Sequence, residues 1–303
     1  MRTGYVTLVG RPNAGKSTLL NALLGERLSI VTHKAQTTWR RVTGIHTTDR
    51  AQMIFLDTPG LLEPRDLLQE AMLLAAREAI AEADIILVVL DAARPGTQED
   101  LRLIEASMQG RPRVPLLSAV NKIDRATGES VQLLSTWAKE RLGGEPYPVS
   151  ALTGRGMDAL AAVLESHLPE GPFLFPPDDI ARDPVRFFVA EIIRETVFEM
   201  FHQEVPYSVF CQVEEFREEQ DPLYVQANLF VERESQKRIL IGGKGSSIRK
   251  IGSISREKIE EFLGRRIYLD LWVKVLPDWR KKRAHLKRFG FPVSRGDARR
   301  EKS

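Results

Sequence analysis

Apolar and polar positions follow two rhythms along the chain. In the first half, strand-like runs alternate with helix-like ones. Tyr5–Val9 is β-rich and ends in a glycine loop, and Ser17–Leu24 has the spacing of the helix that follows. Arg41–Thr47 and Ala51–Leu56 flank the polar turn Thr48-Asp49-Arg50 and predict a hairpin. Leu67–Ala83, rich in Leu, Ala and Glu, predicts a helix. Ile85–Leu90 is apolar throughout, as expected of a strand buried on both faces. Helices are expected at Gln98–Met108, Val131–Arg141 and Met157–His167, and strands at Val114–Val120 and Tyr147–Ser150. Such alternation predicts an α/β domain with a mostly parallel sheet and helices on both faces.

The rhythm breaks at Pro169–Pro177, whose four prolines and one glycine cannot continue a helix. Beyond it Pro184–Phe201 is helical, and Pro206–Phe216 and Leu223–Glu232 are strands joined by the polar turn Arg217–Pro222. Ser235–Ile241 and Ser246–Leu263 predict helices around Gly242-Gly243-Lys244-Gly245, and Ile267–Val275 a final strand. This second region is a smaller α+β unit. The expected division is a first domain over 1–170, a Pro-rich linker over 171–181, a second domain over 182–276 and a basic tail over 277–303.

A length of 303 residues suits two domains, and 43% hydrophobic with 28% charged residues is ordinary globular composition. No unbroken apolar run exceeds six residues, against roughly 20 for a membrane-spanning helix. The N-terminus lacks the apolar stretch and cleavage site of a secretory signal, and the single cysteine, Cys211, excludes an internal disulfide. A cytoplasmic protein is expected. The net charge of +3 conceals an asymmetry: residues 1–177 sum to −1 and residues 233–303 to +13. A basic C-terminal third points to a polyanion, either nucleic acid or acidic lipid at the inner face of the cell membrane. Histidines 33, 46, 167, 202 and 285 have no metal-ligand spacing.

Gly10-Arg-Pro-Asn13-Ala14-Gly15-Lys16-Ser17-Thr18 fits a phosphate-binding loop between a strand and a helix. Its backbone N–H groups and the helix N-terminus suit phosphate, Lys16 can reach the β- and γ-phosphates, and Ser17 can place its hydroxyl on Mg2+. Asp57-Thr58-Pro59-Gly60 ends the next predicted strand. Asp57 can hold Mg2+ through water, and Gly60 can offer its N–H to a γ-phosphate. Asn121-Lys122-Ile123-Asp124 follows another strand. The Asp124 carboxylate can accept both N1–H and the 2-amino group of guanine, donors that adenine lacks. Asn121 can brace the loop and the Lys122 stem can lie over the base. Ser150-Ala151-Leu152 ends the following strand and can present the Ala151 N–H to guanine O6.

In this order, each at the C-terminal end of a strand, the four elements resemble the translation-factor-like class of small GTP-binding proteins. GRPNAGKSTLLN at 10–21, KAQTT at 34–38 and GIHT at 44–47 resemble the Era family of ribosome-associated GTPases. That resemblance implies Thr38 as a Mg2+ ligand of the GTP state, with Thr37 as the alternative. It also implies Leu61 in place of a water-orienting glutamine, and a K+ held by Asn13. For Asn13 the other reading is a loop-bracing amide.

The order helix, GGKG at 242–245, helix, strand resembles a type II KH module, in which a GxxG loop presses bare backbone against RNA. Ser246 opens the following helix, and Lys244, Arg249 and Lys250 add positive charge. Gly243 stands where the Era family more often has a polar residue. With this module the resemblance covers nearly the whole chain. It implies a monomer that binds GTP and GDP, binds near the 3′ end of 16S ribosomal RNA, and acts in assembly of the small ribosomal subunit.

Overall fold

The computed structural model describes residues 1–31, 34 and 36–293. The first half folds as β1 (Arg2–Val9), α1 (Lys16–Leu24), β2 (Val42–Thr47), β3 (Ala51–Asp57), α2 (Leu67–Glu82), β4 (Ile85–Asp91), α3 (Gln98–Ser107), β5 (Leu116–Asn121), α4 (Gly128–Arg141), β6 (Pro146–Pro148) and α5 (Met157–His167). The sheet order is β2-β3-β1-β4-β5-β6, parallel except for β2 against β3. β4 explains its unbroken apolar run. Leu87 and Val89 pack with Leu19 and Leu160 on one face, and Ile86 and Val88 with Ile80, Ile104 and Leu134 on the other. α4 begins three residues before its apolar pattern because the Thr127 hydroxyl accepts the Ser130 N–H at 3.2 Å, capping the helix.

The second half builds α6 (Val185–Met200), α7 (Val205–Ser208), β7 (Phe210–Arg217), β8 (Leu223–Val231), α8 (Glu234–Ile241), α9 (Ser246–Leu263), β9 (Ile267–Val275) and α10 (Arg283–Arg288). β8 is central, antiparallel to β7 and parallel to β9. The strand expected from Pro206 starts at Phe210, because Val205–Ser208 closes a helical turn with proline near its start. Val189, Ile193 and Val197 of α6 and Ile251 and Ile259 of α9 cover one face of this sheet. Phe262 of α9 meets Phe188 of α6, with ring centroids 5.9 Å apart.

Where the halves join, the structure adds one feature and corrects one expectation. The Pro-rich segment is docked: Ile45 N donates to Ile180 O at 2.9 Å, and the buried Gln52 side chain accepts from Leu174 N and Phe175 N at 2.8 and 3.0 Å. It thereby covers the outer edge of β2. The segment read as a basic tail from 277 is folded as far as Val293. Trp279, Leu286, Phe289 and Phe291 are buried together with Phe210 and Phe230 of the second sheet and with Trp39, Leu68 and Met72 of the first half. The Phe210 and Phe289 rings stack at 4.1 Å. Arg280, expected to meet a polyanion, pairs with Asp66, the N-cap of α2. The apolar residues that drive this folding are interspersed among six Lys and Arg between 278 and 293, so the charge hid the packing pattern. Residues 294–303 of the expected tail lie outside the described residues.

Candidate functional site

The C-terminal ends of β1, β3, β4 and β5 open on one edge, where open α/β sheets bind ligands. Gly15 ends the loop after β1 at φ 93°, and a Cβ on it would lie 2.4 Å from Asn121 Nδ2. Glycine is required there by both conformation and space. Leu19 N is bonded to Gly15 O at 2.8 Å. The N–H groups of Lys16, Ser17 and Thr18, in the first turn ahead of it, therefore face the loop without intrahelical acceptors. Lys16 is buried, and its Nζ donates to Gly10 O and Arg11 O at 3.2 and 3.1 Å, inside the concavity a phosphate would fill. Burial lowers its pKa to about 8, with Asp57 opposing the fall and Lys122 adding to it.

Ser17 Oγ donates to Asp57 Oδ2 at 2.7 Å and lies 3.0 Å from Thr38 Oγ1. Asp57 is fully buried, and burial raises its carboxyl pKa against Lys16 and the neighbouring hydroxyls. Its Oδ1 is buried with no hydrogen-bond partner among the described residues. Two hydroxyls and a carboxylate with a spare oxygen, beside a phosphate loop, make a fitting donor set for a hard cation such as Mg2+. Thr38, and not Thr37, is the hydroxyl in this group. Of KAQTT, Ala35 lies outside the described residues. Gly60 touches the loop so closely that a Cβ on it would be 2.5 Å from Pro12 N. Leu61 is 1% exposed within the sheet–helix core, so the position after DTPG offers nothing to a water. Asn13 sits at φ 64°, and its carbonyl accepts from Lys122 Nζ at 2.5 Å.

At the far side of the same edge, Asn121 Nδ2 donates to Ala14 O at 3.0 Å and Oδ1 accepts Lys122 N at 2.8 Å. Asn121 thus ties the phosphate loop to the base loop. Its Oδ1 also accepts the Ala151 N–H at 3.0 Å. The Ala151 N–H, expected to face guanine O6, meets the Asn121 amide oxygen at the same loop. Leu152 is 64% exposed and directs its side chain at solvent. One residue, Asp91, and one contact of the expected site residue Ser150 escaped the sequence reading. Asp91, at the end of β4, holds Lys122 Nζ at 2.6 Å, and Ser150 Oγ donates to Asp124 Oδ1 at 2.5 Å, fixing the carboxylate that would read the base. A carboxylate at the end of the neighbouring strand was the available signal for Asp91.

The GGKG loop lies between α8 and α9. Gly242 has φ 70°, and a Cβ on it would be 2.8 Å from Ser247 N. Gly243 faces open space, so a side chain would fit there. Lys244, Ser246, Arg249 and Lys250 are exposed around it, with Gly245 at the α9 N-cap. Bare backbone, a helix N-terminus and three cations together have the chemistry suited to a phosphate backbone. Among the described residues, no group of three or more His, Cys, Asp or Glu could hold a metal, and no helix is long and apolar enough to cross a membrane.

Residues 5–122 match a family described as 50S ribosome-binding GTPase, and residues 204–280 match the KH domain. GTPase Era of Halothermothrix orenii is 40% identical over 96% of this chain and 98% of its own length. GTPase Era of Carboxydothermus hydrogenoformans is 42% identical over the same shares. An Aquifex aeolicus Era variant bound to GDP·AlF4− superposes with a TM-score of 0.91 at 39% identity, covering 97% of this chain and 100% of that one. A structure of Era with MgGDPNP and nucleotides 1506–1542 of 16S ribosomal RNA matches with the same TM-score, identity and shares.

Proposed function

This chain belongs to the Era family of GTPases, and on that premise we propose that it couples GTP hydrolysis to binding of the 3′ end of 16S ribosomal RNA during assembly of the small subunit. The observation that carries the reading is one sheet edge holding both a Ser17–Thr38–Asp57 oxygen cluster and a braced Asp124. A related Era with 16S nucleotides 1506–1542 supplies the RNA.

In this reading residues 1–170 form the GTPase domain and 182–276 the core of the KH domain. The N–H groups of 14–18 wrap the phosphates, and the Lys16 ammonium, regaining an anionic partner, balances charge as the γ-phosphoryl leaves GDP. Ser17, Thr38 and Asp57, directly or through water, would hold Mg2+, which neutralises the β- and γ-phosphate oxygens when bound. Gly60 N–H orients the γ-phosphate. Asp124 selects guanine, with Ser150 holding it and the Lys122 stem over the base. Leu61 contributes no water-orienting group, so Asn13 is assigned a K+ that supplies further positive charge. RNA runs against 242–246 with Arg249 and Lys250 on its phosphates. Arg280, in the basic segment 280–283 that would suit either acidic lipid or RNA, is already paired with Asp66 and is withheld from both; liposome against RNA competition decides between the two partners.

The test is turnover by the purified chain. GTP should be cleaved and ATP left intact, with cleavage lost in Lys16→Ala. Equal cleavage of ATP, or GTP turnover surviving in that variant, contradicts the assignment.

A further inference from the structure

Thr38 reaches the cation site from a segment that the first domain alone does not hold. Arg27, Val31, Lys34, Thr37 and Trp39 lie along α6 of the second domain, and contacts of three charged side chains fix them there. Glu195, 2% exposed, accepts Arg27 Nη2 on both oxygens at 2.8 Å and Val31 N at 3.3 Å. Lys34 Nζ donates to Phe198 O and Phe201 O at the C-terminal end of α6. Arg194, 1% exposed, donates through Nη2 to Thr37 O, and its guanidinium stacks 4.7 Å from the Trp39 ring. Arg194 thereby grips the residue on each side of Thr38. Glu191 orients it from one helical turn away, accepting Nε at 2.9 Å and Nη2 at 2.5 Å.

We infer that Arg194 is a positioning residue for GTP hydrolysis: the first helix of the KH-bearing half completes the nucleotide site by fixing the backbone on both sides of Thr38. Packing alone does not account for this residue. Its Nη1 is buried without an acceptor among the described residues, and an apolar side chain of similar volume between Trp39 and Phe198 would avoid that cost. Its Nη2, by contrast, is aimed at the backbone carbonyl next to the proposed Mg2+ ligand. The same helix reaches the RNA-binding half, since Lys258 of α9, the helix that opens at the GGKG loop, donates to Glu195 at 3.2 Å.

The inference rests on the proposed role of Thr38, so the experiment is a double-mutant cycle in the full chain. Single-turnover GTP cleavage and GDP affinity are measured for wild type, Thr38→Ala, Arg194→Met and the pair. Thr38→Ala alone should slow cleavage at least about tenfold. Arg194→Met should slow it about tenfold while leaving GDP affinity within about twofold, and in the Thr38→Ala background should cost less than about twofold more. Glu191→Gln, which loosens Arg194 without removing it, should give a smaller loss that also vanishes in the Thr38→Ala background. It carries the test if Arg194→Met does not fold. Additive losses, or wild-type cleavage by both the Arg194 and Glu191 variants, overturn the positioning role. Wild-type cleavage by Thr38→Ala overturns the Thr38 assignment itself, and the inference with it.

Discussion

At the scale of single residues, the base site is a chain of braces that ends on one carboxylate. Asp124 is held by Ser150 at 2.5 Å, and its other oxygen lies 3.4 Å from Arg125 Nε. Asp124→Asn exchanges an acceptor for a donor. It should weaken GTP binding by about 2–5 kcal/mol and favour xanthosine triphosphate, as read by competition against a fluorescent nucleotide. Ser150→Ala should weaken GTP by about 1.5 kcal/mol without the gain in xanthine preference, because the carboxylate survives and only its orientation relaxes. The buried Leu61 makes a different demand. With no side chain there to assist a water, cleavage should be faster in KCl than in NaCl, and the difference should vanish in Asn13→Ala. Equal rates in the two salts remove the K+ assignment. The phosphate-loop, DTPG and NKID positions were legible because each carries its chemistry in a local string. Asp91, Ser150's brace on Asp124, and Arg194 were not, since each acts on a partner at least 26 residues away.

At the scale of elements, strand β4 and the helices around it were legible in their apolar rhythm. Their ends were not, because a capping hydroxyl such as that of Thr127 sets a boundary that apolar spacing does not mark. The GGKG loop shows which substitutions are clean tests. Gly243 faces open space and Lys244 is exposed, so Gly243→Asp with Lys244→Asp adds two negative charges without crowding the fold. RNA affinity should fall at least tenfold, about 1.4 kcal/mol, with GTP affinity unchanged. The measurement is RNA titration across a salt series. Changing Gly242 or Gly245 would instead strain a left-handed backbone and confound binding with folding.

At the scale of the whole molecule, the two halves are joined by a hydrophobic cluster as well as by chain connection. The segment 279–291 was legible only as charge, yet Trp279, Leu286, Phe289 and Phe291 supply buried surface shared by Phe210, Phe230, Trp39 and Leu68. Phe289→Ala should therefore destabilise the protein by about 3–5 kcal/mol, lowering the denaturant midpoint. A merely solvated tail would give no change. Because Thr37 and Trp39 are held by Arg194 of α6, loosening this joint should also slow GTP cleavage more than it weakens GDP binding. The central claim is that one chain carries a GTP site and an RNA-binding site directed at the 3′ end of 16S ribosomal RNA. It is tested most directly by crosslinking the full chain, loaded with a non-hydrolysable GTP analogue, to total RNA and sequencing the crosslinked positions, beside the Gly243→Asp, Lys244→Asp variant. The account predicts a peak at the 3′ end of 16S ribosomal RNA that the variant loses. A peak elsewhere, or one that the variant keeps, contradicts it.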